Sequence, residues 1–140
     1  MEFSTSIDVA APPHQVWSVM SDIERWPEWT DTVRSAKRLD SGPLAVGSTA
    51  RVFQPRLAPA VFKVTWLEEG RGFTWVTRSL GVRATADHRI EPSGQGSRVT
   101  LSVKMEGFLS RVFGPMMRKL TNEYLAIEAA GLKRRSEQQA

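Results

Sequence analysis

Few side chains in this sequence are placed to do chemistry: two histidines, one tyrosine and a handful of arginines. His88 stands in Val82-Arg83-Ala84-Thr85-Ala86-Asp87-His88-Arg89-Ile90, where even positions are apolar or small and odd positions are mostly charged. Period two puts the even set on one face, so His88 is expected to point inward. A neutral imidazole there can hydrogen-bond a ligand or act as a general base. The competing reading is a structural histidine, bonded to a carbonyl or to a helix residue. Tyr124 falls on the apolar stripe of a C-terminal helical pattern, so its hydroxyl is expected to meet His88 or a ligand. An inward Arg51 would hold a carboxylate or enolate through its planar fork. Parity in its strand does not decide between Ala50/Val52/Gln54 and Arg51/Phe53. Arg78 is a further polar candidate. His88, Tyr124 and Arg51 are therefore candidates, and none is assigned as catalytic.

Other chemistries are excluded or unsupported. Cysteine is absent, which removes disulfides, zinc–thiolate sites, iron–sulfur clusters and thiol nucleophiles. His14 lies in the first turn of a short helix and is expected to be exposed. Two histidines without a matching carboxylate pattern give no metal site. Asp87 and Glu106 fall on outward parity, so no buried carboxylate pair is expected. No glycine-rich loop precedes a helix and no Gly-x-Ser-x-Gly elbow occurs. No cofactor is expected.

The elements that must hold these residues follow from periodicity. Phe3, Thr5, Ile7 and Val9 alternate with polar neighbours, which predicts a strand over 2–10. Pro12-Pro13 ends it, and proline is well placed to open a helix. Val16, Val19 and Met20 then predict a short helix over about 13–21. Asp22 can cap a second short turn before Trp26-Pro27-Glu28-Trp29. From there six further strands are expected, at 33–39, 48–54, 61–68, 73–79, 82–91 and 97–106, separated by glycine- and proline-rich turns. Turns this short mean antiparallel pairing.

The period changes after Gly107. Leu109, Val112, Phe113, Met116, Leu120, Tyr124, Ile127 and Gly131 recur at three- and four-residue steps. A helix over about 109–135 would be ~40 Å long, against a radius of gyration of ~14 Å for a domain of this size. The sheet must therefore curve around it. The inward sets then become Phe62, Val64 and Trp66; Phe73, Trp75 and Thr77; Val82, Ala84, Ala86, His88 and Ile90; and Val99, Leu101, Val103 and Met105. The two alanines leave space that larger side chains would fill. With Met116, Leu120 and Tyr124 opposite, these walls suit a concave apolar ligand site, and methionine adapts to irregular guests. The alternative is a solid core.

With 140 residues the chain reads as one domain over 1–135, with a disordered tail over 136–140. No apolar run reaches the ~18 residues of a membrane span, and the start lacks a signal-peptide pattern, so a cytoplasmic protein is expected. Residues 1–40 hold seven acids and four bases, so the +4 net charge is concentrated in the rest. Most of those bases alternate with apolar residues along strands, so DNA binding is not expected. Ala126, Ala129 and Ala130 leave helix surface compatible with a homodimer, which the pattern does not decide.

The order strand, two short helices, six strands, long helix resembles the helix-grip fold, of mixed α+β class. The residues that carry the likeness are Pro12-Pro13 with Val16-Trp17, Asp22, Trp26-Pro27-Glu28-Trp29, Gly47 and Trp75. Gly81-Val82-Arg83-Ala84, His88-Arg89-Ile90-Glu91-Pro92, Gly96-Ser97-Arg98-Val99-Thr100 and Gly131-Leu132-Lys133-Arg134-Arg135 complete it. The chain is similar to the START/Bet v 1-like superfamily, and within it to SRPBCC proteins of the polyketide cyclase/dehydratase and lipid-transport group. The resemblance implies a seven-stranded curved antiparallel sheet wrapped around the last helix, with an elongated cavity between them. It places Trp26 and Trp29 beside that cavity, as ligand wall or as end plug. The expected cavity set is Trp26, Trp29, Val52, Phe62, Trp66, Trp75, Ala84, Ala86, His88, Met105, Met116, Leu120 and Tyr124.

Three functions fit these expectations. The first is binding, or transport, of a small hydrophobic molecule. The second is a cyclase or dehydratase in which His88, Tyr124 or Arg51 moves protons. The third is an interaction domain whose bases Arg118, Lys119 and Lys133 to Arg135 dock on a protein, RNA or an anionic membrane. Fold alone does not choose among them.

Overall fold

The computed structural model describes residues 1–138, with the side chain of Phe113 outside that description. Seven strands form one antiparallel sheet in the order β1-β7-β6-β5-β4-β3-β2. They are β1 (Glu2–Val9), β2 (Ser35–Arg38), β3 (Thr49–Phe53), β4 (Ala60–Glu68), β5 (Gly72–Ser79), β6 (Val82–Ser93) and β7 (Gly96–Glu106). Helix α1 (Pro13–Met20) and a 3-10 helix (Ile23–Glu28) fill the β1–β2 connection, and α2 (Ser110–Gln138) closes the chain. At 29 residues α2 is ~43 Å long. The fold is the helix grip, of mixed α+β class.

Period two decides what each strand buries. Phe3 and Val9 of β1, Ala50 and Val52 of β3, Phe73 and Trp75 of β5 and Val99 and Leu101 of β7 are all buried. Arg51 and Phe53 take the outer face of β3, so Arg51 is exposed and does not reach the interior. Asp22 precedes the 3-10 helix but makes no side-chain cap; it pairs with Arg25 at 3.3 Å instead.

Two expectations fail for local reasons. The register of β4 slips between Val64 and Trp66, a β-bulge that reverses parity. Val64 stays inside opposite Trp75, but Trp66 pairs with Thr74 and faces out under the Arg89 guanidinium, 4.0 Å from the ring centroid. Leu67, opposite Phe73, takes over the inner face. The second concerns the phase of α2. Met116 is 72% exposed, and Val112 and Ile127 are also exposed, while Leu125, Ala129 and Leu132 are buried. The inner stripe includes polar Thr121 and Glu128, which rotate the apparent apolar face toward solvent. The side chain of Phe113, also on the expected stripe, lies outside the described residues.

The interior is filled at one end only. There α1, the 3-10 helix and the C-terminal half of α2 pack Val16, Met20, Ile23, Trp26 and Trp29 against Phe73, Val99 and Leu132. Gly131 lies against the Trp29 backbone carbonyl so closely that a Cβ would overlap it. Arg134 donates to that same carbonyl at 3.2 Å, Arg135 pairs with Glu28 at 2.6 Å and Lys133 with Glu137 at 2.6 Å. The basic run near the C-terminus is thus engaged with neighbouring carbonyl and carboxylate groups at this end of the helix. The expected tail is also structured as far as Gln138. Ser136 is buried, its carbonyl accepts from Gln15 Nε2, and the Glu137 carboxylate accepts from the Ala10 N–H at 2.8 Å. Residues 139–140 lie outside the described residues. No helix among the described residues is long and apolar enough to cross a membrane.

Candidate functional site

Beyond Trp26 the grip is hollow. A cavity of about 380 Å³ lies between the sheet and the N-terminal half of α2. Strands β5, β6 and β7 supply Trp75, Thr77, Val82, Ala84, Ala86, His88, Val103 and Met105. Val52 and Phe62 come from β3 and β4, and Trp26 from the 3-10 helix. From α2 come Ser110, Met117, Leu120, Thr121, Tyr124, Leu125 and Glu128. The alanines matter by what they lack: Ala84 and Ala86 sit opposite Thr77 and Trp75 in the β5–β6 ladder, and their short side chains leave the middle open. The 54–59 loop and the β5–β6 turn rim the other end, where Leu80 both lines the hollow and is 90% exposed. The hollow therefore reaches solvent on that side.

The inner end carries an aromatic cluster. Trp26 lies 5.3 Å from Trp75 and 5.6 Å from His88 between ring centroids, and Phe62 lies 4.7 Å from Trp75. The Trp26 indole N–H donates to the Met20 carbonyl at 3.0 Å, which fixes the ring as a wall. Trp29 sits behind it, 5.6 Å away and against Gly131, and does not line the hollow. The two tryptophans divide the roles: Trp26 is wall and Trp29 is plug.

His88 is buried and stacked on Phe73, with centroids 4.2 Å apart and planes 9° apart. Its Nδ1 lies 3.2 Å from the Phe73 carbonyl oxygen. That oxygen only accepts, so Nδ1 carries the proton and Nε2 is left as an acceptor. Glu128 Oε1 stands 3.8 Å from Nε2. Burial works on both groups in favour of the neutral form. It pushes the His88 pKa down to about 4, against the Phe73 carbonyl and Asp87. It pushes the Glu128 carboxyl up to about 7. A protonated carboxyl can donate, and Nε2 can accept. Their separation exceeds hydrogen-bond length, so a hydroxyl placed between them could bond to both.

The other candidates are placed differently. The Tyr124 hydroxyl donates to the Pro55 carbonyl, which ties α2 to the rim loop and keeps it from His88. Arg51, Trp29, Trp66 and Met116 do not line the hollow; Met117 holds the place expected of Met116. Trp26, Val52, Phe62, Trp75, Ala84, Ala86, His88, Met105, Leu120 and Tyr124 do line it. Glu128 is the residue that sequence reasoning missed. Its signal is a 4-3-4 spacing of Thr121, Leu125, Glu128 and Leu132, which places a carboxylate on the helix's buried side. No group of three or more His, Cys, Asp or Glu side chains among the described residues is placed to hold a metal ion.

A seven-stranded grip around a helix, hollow at one end, is the architecture of START and Bet v 1-like proteins. The chain belongs to the family described as "Polyketide cyclase / dehydrase and lipid transport", which matches residues 1–137. No curated protein sequence matches it. Among solved structures it is similar to a START superfamily protein from Mycobacterium smegmatis, with 23% identity, TM-score 0.82 and 99% of each chain covered. It is also similar to the Zhui aromatase/cyclase from Streptomyces sp. R1128, with 12% identity and TM-score 0.84, covering 99% of this chain and 94% of that one. A third is a norcoclaurine synthase from Thalictrum flavum, with 15% identity and TM-score 0.79, covering 99% and 95%. The family comprises ligand-binding and cyclase-like proteins.

Proposed function

We propose that the chain binds one small, largely apolar molecule in the hollow, with a hydroxyl or phenol of that molecule held between His88 and Glu128. The observation that carries this reading is the juxtaposition of an apolar cavity with a single neutral donor–acceptor pair at its inner end. Apolar walls supply most of the binding free energy, roughly 25 cal/mol for each Å² removed from water. The polar pair supplies orientation, because a buried acceptor left unmatched costs free energy. Membership of the family and the likeness to binding and cyclase folds support the same reading. The test is titration with the neutral fluorophore N-phenyl-1-naphthylamine. One molecule per chain with a blue shift of its emission supports the proposal. No uptake of this or any other neutral apolar probe overturns it.

A second reading is proton transfer within the same hollow. It is favoured by the opposed displacement of the His88 and Glu128 pKa values beside a hydrophobic wall, since such pairs divide acid and base roles. Neutral His88 Nε2 would take a proton from the carbon next to a bound carbonyl, and protonated Glu128 would hydrogen-bond the enolate oxygen. Deuterium exchange into an aryl methyl ketone in D2O tests it: exchange lost in His88→Phe supports catalysis, and exchange no faster than in buffer removes it.

A further inference from the structure

The hollow carries a second polar level that the His88–Glu128 pair does not account for. Hydroxyl and amide side chains line it at Gln54, Thr77, Ser79, Ser110, Thr121 and Tyr124. Ser110 and Tyr124 are used within the protein: Ser110 donates to the Gly107 carbonyl at 2.6 Å, and Tyr124 to the Pro55 carbonyl. Gln54 and Ser79 stand at the rim, where β3 and β5 end. Thr121 is different. It is 7% exposed, it faces the hollow from α2, and its hydroxyl has no hydrogen-bond partner among the described residues. Thr30 and Thr32, also buried, bond to each other at 2.8 Å. The Thr77 hydroxyl, on the inner face of β5 beyond Trp75, is likewise without a partner among the described residues. Valine has the shape of threonine and no hydroxyl to satisfy. A buried hydroxyl facing an apolar space therefore costs free energy until something in that space bonds to it.

The two walls set the height of this level. Thr121 precedes Glu128 by seven residues, two turns along one face of α2, or ~10 Å at ~1.5 Å per residue. On the sheet, Thr77 pairs with Ala84 and Phe73 with His88, so Thr77 stands four residues, or ~13 Å, from the rung of the histidine. Both distances run the same way. The Leu109 N–H donates to the Gly81 carbonyl at 3.1 Å where α2 begins, and Glu128 meets His88 further along. The helix therefore follows β6 from the β5–β6 turn toward the inner end. Helix and sheet each offer one unused hydroxyl about 10–13 Å from the pair. Between the two levels the walls are apolar, with Trp75 opposite Ala86 on the sheet and Leu125 on the helix.

We propose that Thr77 and Thr121 form a second polar station, and that the occupant of the hollow is an elongated, rigid apolar molecule with an oxygen at each end. One hydroxyl sits between His88 and Glu128. A second hydroxyl or a carbonyl, about 10–13 Å away, bonds to the threonine hydroxyls. A threonine hydroxyl both donates and accepts, so it serves either group. The inference rests on the reading of the hollow as a site for one hydroxylated apolar molecule, and it adds a length and a second oxygen to that molecule. Thr77 and Thr121 then select against ligands that are too short or that are apolar at the outer end.

Isothermal titration at pH 6 of 4,4′-dihydroxybiphenyl and 4-hydroxybiphenyl tests it. The two share the same rings, and the first carries hydroxyls at opposite ends, at about the spacing of Glu128 and Thr121. Because the diol is symmetric, its equivalent orientations alone give it about a twofold advantage. In the native protein it is expected to bind at least about tenfold more tightly. Thr121→Val and Thr77→Val should each reduce that ratio roughly threefold, and the double variant should bring it to about two or below, with the affinity of 4-hydroxybiphenyl unchanged. Urea unfolding supplies a readout that needs no ligand. The midpoint of each single variant should be unchanged or higher, since no internal hydrogen bond is lost. A ratio of about two or less in the native protein, or a preference that survives in the double variant, overturns the proposal while leaving the inner pair intact. A lowered midpoint overturns it too, by showing that the hydroxyls are already bonded within the protein. Failure of both biphenyls to bind overturns it as well, and N-phenyl-1-naphthylamine uptake then tells whether the hollow still binds an apolar guest or the reading beneath the proposal falls with it.

Discussion

His88 Nε2 on β6 and Glu128 Oε1 on α2 face each other at 3.8 Å across the inner end of the hollow, and burial favours the neutral form of each, so that both are mainly neutral between their folded pKa values of about 4 and about 7. The sheet supplies the acceptor and the helix supplies the donor, so the pair exists only when the helix is seated. Thr121 and Leu125, two turns and one turn before Glu128, line the same cavity. The pair is therefore an inner-face feature of α2 and not a surface ion pair.

The linkage to pH follows from the two directions. His88 has a folded pKa of about 4 against 6.5 in the unfolded chain, so the stability it permits is full above 6.5 and is lost as pH falls toward 4. Glu128 has a folded pKa of about 7 against 4.5, so its contribution is full below 4.5 and is lost as pH rises toward 7. The slopes oppose each other between 4.5 and 6.5 and largely cancel in the native protein. Glu128→Gln leaves the histidine slope alone, and His88→Phe leaves the glutamate slope alone. Urea unfolding across this window should show the first variant weakening toward acid and the second toward neutrality, each by on the order of 2–3 kcal/mol. Parallel profiles for both variants would show that burial does not suppress these charges.

Filling the hollow should separate stability from binding. Ala84→Leu projects into open space between Thr77 and Met105. Its expected effect on stability is less than about 1 kcal/mol in either direction, because no neighbour must be displaced. Uptake of an apolar probe should fall at least about tenfold, which corresponds to about 1.4 kcal/mol. A large loss of stability with unchanged uptake would mean that the space at Ala84 is already occupied.

Much of this was legible in the residues, and the failures have physical causes. Alternation of apolar and polar positions located all seven strands and the inward set of β6, His88 included. A single bulge in β4 cannot be seen in alternation, because Val64-Thr65-Trp66-Leu67 offers an apolar side chain on either parity. Alternation therefore assigns Trp66 to the inner face, and the bulge turns it outward. The phase of α2 differs from the expected one for the opposite reason. Its inner side holds Thr121 and Glu128 because a cavity tolerates polar groups that a packed core would not, while Val112 and Met116 are exposed. Hydropathy alone read that pattern as rotated, and it hid the carboxylate that completes the site.

Tryptophan emission should distinguish the faces. Trp75 lines the hollow, and Trp66 lies on the outer face under Arg89. Trp75→Phe is expected to reduce the ligand-induced change in intrinsic emission, which it shares with Trp26 on the same wall, and Trp66→Phe to preserve it. The reverse outcome would place the ligand on the outer face of the sheet.

The seat of the helix depends on Gly131. Glycine inside a helix costs roughly 1 kcal/mol relative to alanine, yet here only glycine lets α2 approach the Trp29 carbonyl. Gly131→Ala should lower stability by about 1–3 kcal/mol through overpacking, despite its better helix propensity. Denaturant unfolding with an unchanged or higher midpoint would show that this end of the helix is not clamped.

The central claim is that an apolar hollow ends in a neutral pair that selects a hydroxyl. Isothermal titration of 2-naphthol and 2-methoxynaphthalene at pH 6 compares two ligands of similar shape that differ in that donor. The account predicts that naphthol binds at least about tenfold more tightly, with the difference gone in His88→Phe. Equal affinity for the two ligands in the native protein, or a preference that survives in the variant, would contradict it.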